Sequence, residues 1–259
     1  MNLHNKVVLV TRPQHQAAEF IQLVEQNGGK AFSFPSIEIQ SVEFDSSLKE
    51  IINKLNKYDM LIFISANAVS FFIELLHRHK LGPEQVIAKI AVIGKATYMA
   101  ATKAGFNVDI QPHHGYNSEV LLEHAALQRE QISARQVLIV RGRGGLSQLP
   151  DALMRRGADV DFAEVYQRVI PVSDTQIEKK QLSNNWLHFG FSDITVTSNE
   201  SLQNLYDMLD TPGKNAMLNT HLVVPSKRCA ELAKELGFQS FSVAQSATNQ
   251  HMLEAISAI

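Results

Sequence analysis

The sequence predicts an α/β protein of two similar doubly wound parallel-sheet domains with flavodoxin-like strand order. Three observations lead there. Short β-branched runs alternate with amphipathic helical segments along all 259 residues. Successive runs are separated by enough chain for a crossover helix, which parallel strands need and a hairpin does not. The second half of the chain also restates the first, run by run.

Val7-Val8-Leu9-Val10-Thr11 reads as a buried strand, short, apolar and closed by a polar residue. Pro13 suits a first helical turn, and Ala17, Phe20, Ile21 and Val24 then recur at helical spacing. Gly28 or Gly29 ends that helix, and a strand follows at Lys30 to Phe34. The same syntax returns at Val137-Leu138-Ile139-Val140-Arg141, with Leu146, Leu149, Leu153 and Met154 marking the helix. Gly157 is its stop and Val160 to Val165 the next strand. Asp59 to Ile64 with Ser65 matches Asp193 to Thr197 with Ser198, and Ile90 to Ile93 with Gly94 matches Leu222 to Val224 with Pro225. The helices after this last pair end in the same dipeptide, Gly105-Phe106 and Gly237-Phe238. Asn117 to Leu122 occupies the place that Thr248 to Leu253 holds in the second half.

Such a chain is one five-stranded βα unit duplicated. Right-handed crossovers place helices on both faces of each parallel sheet. The repeat leaves two arrangements open. Tandem halves are one. The other pairs the opening βαβ segment with the last three strands, making the middle an inserted domain, with Ile37 to Val42 and Val165 to Val172 as a two-stranded link.

Composition narrows the function. Twenty-four Lys+Arg against 26 Asp+Glu leave a charge of −2, so no bulk field draws the protein to nucleic acid or to an acidic membrane. The single cysteine, Cys229, excludes an internal disulfide and a thiolate metal cage, and its helical spacing marks it as a small core residue. The start is polar and runs directly into a strand, and the apolar runs are strand-length. A cytoplasmic protein is expected.

In an open parallel sheet, ligands bind beyond the C-terminal strand ends at the switch point. One unit offers Thr11, Arg12, Thr197, Ser198, Ser226 and Lys227 there. The other offers Ser65, Asn67, Gly94, Lys95, Thr97, Arg141, Gly142 and Arg143. Taken singly, such residues at a strand-to-helix junction serve as helix caps. Together they converge on anion chemistry, because helix N-termini present free N–H groups and partial positive charge. Gly142-Arg143-Gly144-Gly145 lacks the Lys-Ser/Thr ending of a phosphate loop and reads as a tight turn. His113-His114 has no second ligand cluster at metal spacing, and His77 and His79 face solvent near a helix end. No Gly-x-Ser-x-Gly or His-Glu-x-x-His motif is present.

Val8 to Pro13, Phe63-Ile64-Ser65-Ala66-Asn67-Ala68-Val69 and Ala91-Val92-Ile93-Gly94-Lys95-Ala96-Thr97 resemble the uroporphyrinogen-III synthase family. So do Leu138 to Gly142, Glu164-Val165-Tyr166-Gln167-Arg168 and Thr195 to Ser198, in order from about Val7 to Leu253. The resemblance implies the inserted arrangement: residues 1–36 and 172–259 as one domain, 42–165 as the second, 37–41 and 166–171 as linker strands. It implies a cofactor-free, metal-free lyase acting in the cleft between its domains; a monomer is expected. That lyase closes hydroxymethylbilane, an octacarboxylate, to uroporphyrinogen III with loss of water and inversion of the last pyrrole. Such chemistry is catalysis by orientation of a flexible polyanion. The strand-end reading makes Thr11, Arg12, Ser65, Asn67, Gly94, Lys95, Thr97, Arg141, Ser198, Ser226 and Lys227 the expected substrate contacts, and the resemblance adds a hydrogen bond from the Tyr166 phenol to the departing hydroxyl. A plain packing role for Tyr166 stands beside that reading. Two other functions fit parts of the sequence. A non-catalytic two-lobed binding protein suits the shape, and a nucleotide-using transferase would rest on the Gly142 turn.

Overall fold

The computed structural model describes residues 1–112, 118–144, 147–171 and 175–258. His113, His114, Gly115, Asn117, Gly145, Leu146 and Val172, all used in the sequence reading, lie outside the described residues. The chain opens with β1 (Val7–Val10), α1 (Gln14–Gln26) and β2 (Lys30–Ser33). It continues through β3 (Glu38–Ser41), α2 (Ser46–Asn53), β4 (Met60–Phe63), α3 (Ala66–Arg78), β5 (Lys89–Val92), α4 (Lys95–Lys103) and β6 (Val108–Ile110). Next come α5 (Ser118–Glu123), α6 (Arg129–Ile132), β7 (Gln136–Gly142), α7 (Gln148–Arg155) and β8 (Asp159–Val169). The last part holds α8 (Thr175–Phe189), β9 (Asp193–Thr195), α9 (Asn199–Met208), α10 (Thr211–Leu218), β10 (His221–Val224), α11 (Lys227–Leu236), β11 (Phe241–Val243) and α12 (Asn249–Ser257).

Two compact units result: Met1–Glu38 with Val169–Ile259, and Ile39–Arg168. The first holds a parallel five-stranded sheet in the order β11-β10-β9-β1-β2. The second holds a six-stranded sheet in the order β3-β8-β7-β4-β5-β6, parallel from β8 to β6. Counted through the repeat, where β7 matches β1 and β4 matches β9, both sheets have the flavodoxin-like order. Two expectations need adjustment. The strand at Val160–Val165 and the linker strand beyond it are one continuous strand, β8, of 11 residues. β3 hydrogen-bonds to it as the edge of the six-stranded sheet, so these extended stretches belong to that sheet. Pro13 takes the N-cap position of α1, not a place inside its first turn.

Each sheet is covered on both faces, as its unbroken apolar strands require. In the first, Leu9, Ile194, Val196, Leu222 and Val224 pack on one face with Trp186, Leu202 and Cys229. Val8, Val10 and Val223 pack on the other with Phe20, Met252 and Ile256. In the second, Leu61, Phe63, Leu138 and Val140 face one way, and Met60, Ile62, Val137 and Ile139 the other. Each such side chain contributes roughly 1.5–3 kcal/mol on burial. The duplication extends to helix ends. Gly105 and Gly237 sit at φ +91° and +96°, where a side chain is strained. Behind them the Phe106 and Phe238 amides donate to the Ala101 and Ala233 carbonyls, each at 3.0 Å. Of the expected solvent-facing pair near the end of α3, His77 is exposed, but the His79 ring lies 4.4 Å from that of Phe44.

At the opposite sheet edge from the helix starts, His221 pairs in register with buried Asp193. The Asp193 carboxylate accepts from Ser192 Oγ at 2.7 Å and has Lys6 Nζ at 3.2 Å. The two imidazole nitrogens of His221 meet the hydroxyls of Ser240 and Ser242. Burial lowers the His221 pKa; Asp193 pulls it up and Lys6 adds to the lowering. The unfolded chain therefore takes up a proton near pH 6.5 that the folded one resists. This contribution to stability is full above that pH and is lost as pH falls towards the folded value. Melting temperatures measured from pH 8 to pH 5 are expected to fall more steeply for the wild type than for His221→Gln. Parallel curves would assign the acid sensitivity to other groups.

Candidate functional site

The strand registers bring three strand ends level in each unit. Val10 pairs with Thr195 and Thr195 with Val223; Phe63 pairs with both Val92 and Val140. Four helices start just beyond these ends, with nearly the same N-cap backbone. The φ/ψ values are −161°/160° at Ser65, −169°/173° at Gly94, −162°/164° at Ser198 and −162°/160° at Ser226. Ser65, Ser198 and Ser226 each accept the N–H three residues on, at 3.0, 3.0 and 3.3 Å. Their oxygens are thereby partly committed to capping. Gly94 has no side chain to give, so the first-turn N–H groups of α4 have no side-chain cap. Lys95 opens that helix at its solvent side, and Thr97 is buried in its first turn.

In the first unit, Thr11 is fully buried. Its hydroxyl donates to the Thr195 carbonyl at 2.8 Å and lies 2.9 Å from Ser201 Oγ. Ser201 Oγ is in turn 2.7 Å from Ser36 Oγ. Ser36 Oγ also reaches the Thr11 carbonyl at 3.4 Å, so the three hydroxyls form one buried network anchored on backbone carbonyls. Arg12, read from sequence as a cation for substrate, is 8% exposed and engaged inside its own unit. Its guanidinium donates to Asn249 Oδ1 and, at 3.0 Å, to the Ala247 carbonyl, with the Phe20 ring centroid 4.7 Å away. Burial lowers its pKa. Lys227 is exposed at the start of α11, and Thr197 and Ser198 are half-buried.

In the second unit, the Tyr166 side chain packs against the core on the Leu138 and Val140 face, stacked on Phe71 with centroids 5.7 Å apart. Its hydroxyl lies 3.2 Å from Ser65 Oγ. This brings Tyr166 together with the cap of α3, and half-buried Asn67 stands two residues along. A register shift between Arg141 and Gly142 sets Gly142 opposite Tyr166. A Cβ on Gly142 would stand 2.5 Å from Tyr166 Cζ. Glycine is therefore required there by close approach, not by a phosphate. Arg141 does not join this group. Strand alternation sends it to the Val137 and Ile139 face, where its guanidinium lies 5.4 Å from the Phe162 centroid and 4.0 Å from Glu164 Oε1.

Sequence reasoning missed Ser36, Ser201 and Phe71. None is at a strand end, and no spacing rule links residues 165 positions apart, as Ser36 and Ser201 are. Cys229 is buried, and desolvation pushes its thiol up to about 11. Among the described residues, no group of three or more His, Cys, Asp or Glu is placed to hold a metal ion, and no helix is long and apolar enough to cross a membrane.

Comparison with known proteins adds independent findings. The family described as "Uroporphyrinogen-III synthase HemD" matches residues 18–254. The uroporphyrinogen-III synthase of Escherichia coli K12 is 32% identical over 250 residues, covering 96% of this chain and 99% of that protein. That of Salmonella typhimurium LT2 is 34% identical over 254 residues, again covering 96% and 99%. Among solved structures, the Helicobacter pylori 26695 uroporphyrinogen-III synthetase aligns with a TM-score of 0.65 at 16% identity, over 98% of this chain and 100% of that one. A mutant uroporphyrinogen III synthase from Thermus thermophilus aligns with a TM-score of 0.61 at 16% identity, over 98% of both chains. At such identity the structural likeness speaks for the fold alone.

The Gly142–Tyr166 approach has a direct test. Gly142→Ala is expected to cost about 1–3 kcal/mol of stability by urea unfolding, the usual range for overpacking. In a Tyr166→Ala background the same substitution should cost much less, because the clash is gone. Equal costs in both backgrounds would show that the ring does not set the glycine.

Proposed function

The chain belongs to the uroporphyrinogen-III synthase family, and from that premise we propose that it performs the family's cyclisation with the strand-end residues described above. The reaction closes hydroxymethylbilane to uroporphyrinogen III, releasing water and inverting the last pyrrole. Loss of the hydroxyl leaves a carbocation that the adjoining pyrrole nitrogen stabilises, so strong acid–base machinery is not needed. The harder task is to hold a flexible octacarboxylate so that the inverted ring attacks, a task of orientation.

The observation that carries the reading is the repeated set of helix N-termini beyond level strand ends, with matching cap geometry in both units. Each such terminus is suited to a carboxylate. α4 is the best suited, since Gly94 leaves its first-turn N–H groups without a side-chain cap and Lys95 adds a cation. Ser65, Asn67, Thr97, Ser198, Ser226 and Lys227 complete the proposed contacts. Thr11 and Arg12 act from beneath. Their polar groups hold the ends of β1, β9 and α12 in place, which supports the geometry without requiring either to touch substrate.

Tyr166 is the proposed aid to the leaving group. Ser65 Oγ already accepts the Ala68 amide. If the Ser65 hydroxyl donates to the phenol oxygen, the phenol hydrogen is left to point at the departing hydroxyl. One such hydrogen bond, worth about 1.5–3 kcal/mol when charge develops, corresponds to roughly ten- to a hundred-fold in rate.

Two measurements test this reading. Purified protein with fresh hydroxymethylbilane is expected to give the type III isomer; chromatography showing only the spontaneously formed type I isomer would reject the function. Tyr166→Phe is expected to lower kcat about ten- to a hundred-fold with KM near the wild-type value. An unchanged kcat would return Tyr166 to a packing role.

A further inference from the structure

We propose that Ser201 is a positioning residue for the cyclisation, its buried hydroxyl fixing the N-terminus of α9, capped by Ser198, to the chain beyond β1 and β2; this rests on the synthase reading, in which that terminus holds a substrate carboxylate. Val7 and Val10 pair with Lys30 and Ser33 as Val137 and Val140 pair with Val160 and Ala163, every residue shifted by 130 positions. The same shift puts Ser36 in the place of Tyr166. At the helix starts, Ser198 matches Ser65, so Ser201 and Asn204 take the places of Ala68 and Phe71.

The two units fill these places with different chemistry. In the second, Ala68 is buried, and Tyr166 stacks on Phe71 and brings its hydroxyl 3.2 Å from Ser65 Oγ. In the first, Ser36 and Ser201 are 0% and 1% exposed. Ser201 Oγ lies 2.7 Å from Ser36 Oγ and 2.9 Å from Thr11 Oγ1, while its N–H donates to Ser198 Oγ at 3.0 Å. Asn204 Nδ2 donates to the Ser36 carbonyl at 3.0 Å, further along α9. With each hydroxyl committed to its neighbours, the part of this group is geometry, not contact with substrate. Buried hydrogen bonds that satisfy one another are directional and hold a single arrangement. A carboxylate at a helix N-terminus depends on where the first-turn N–H groups point. That grip acts alike on substrate and transition state, so its loss appears in KM.

Steady-state kinetics of Ser201→Ala with hydroxymethylbilane test the assignment. KM is expected to rise about tenfold with kcat within about twofold of wild type, the reverse of the Tyr166→Phe pattern. Ser201→Thr, which keeps the hydroxyl, should return KM to within about threefold of wild type. A merely structural hydroxyl would instead lower the folded fraction, so that apparent kcat falls while KM holds. That result, or an unchanged KM, would overturn the proposal. Hydrogen exchange of the full chain gives a readout independent of turnover. The Leu202 amide, which donates to the Ser198 carbonyl at 3.1 Å, should exchange faster in Ser201→Ala. The first turn of α11, under its own Ser226 cap, should not change. Equal exchange at Leu202, or faster exchange in both turns alike, would show that Ser201 does not hold α9 in particular. Should Ser201→Ala fail to fold, Asn204→Ala removes the bond to Ser36 from a half-buried position and is expected to raise KM alone, about threefold. Wild-type protein that yields only the type I isomer fails the synthase reading, whereas wild-type turnover with no KM change in Ser201→Ala fails this assignment alone.

Discussion

Parallel strands cannot be joined by a tight turn, and most of this molecule's organisation follows from that constraint. Each strand must be followed by a crossover long enough to return the chain to the same sheet edge. The crossovers here are helical, and they cover both faces of each sheet. All strand C-termini within a parallel sheet therefore point one way, and the helices start together at that end. The four near-identical caps at Ser65, Gly94, Ser198 and Ser226 are the local form of this rule, produced twice by a repeated unit.

The fold was legible because its signals are local and periodic. The apolar runs at Val7–Val10, Leu61–Phe63, Val137–Val140 and Leu222–Val224 lie within strands β1, β4, β7 and β10. The dipeptides Gly105-Phe106 and Gly237-Phe238 encode a complete helix stop, with the left-handed glycine followed by an amide that reaches back to the helix. What escaped was continuity. Nothing in Val160 to Val169 distinguishes a strand ending in one sheet from a longer strand that gains β3 as a neighbour, because that depends on pairing with distant residues. Strand ends are set by partners as much as by composition.

The candidate site divides along the same line. Residues whose part is backbone-encoded, such as the capping serines and Gly94, could be found from a strand signal followed by a cap signal. Side-chain direction was not legible. Arg141 and Tyr166 lie close together on the neighbouring strands β7 and β8, yet alternation and the register shift at Gly142 send them to opposite faces. Arg12 illustrates a second limit. A charged residue at a strand end reads as a ligand contact, but its neighbours Phe20, Ala247 and Asn249 are brought to it only by folding. The Ser36–Ser201–Thr11 chain is a third case, since hydroxyls carry no periodic signature and become a network only when buried together.

The lone cysteine, finally, gives the molecule a built-in reporter. Cys229 is sealed in the core of the first unit, in the first turn of α11, and its thiol is held protonated by burial. Thiolate, not thiol, is what attacks an alkylating reagent. Labelling at neutral pH thus requires the wall around α11 to open. Because the second unit has no cysteine, the labelling rate reads the breathing of one member of a duplicated pair and is blind to its twin. Two copies of one architecture are in this way distinguished by a thiol that only one of them holds.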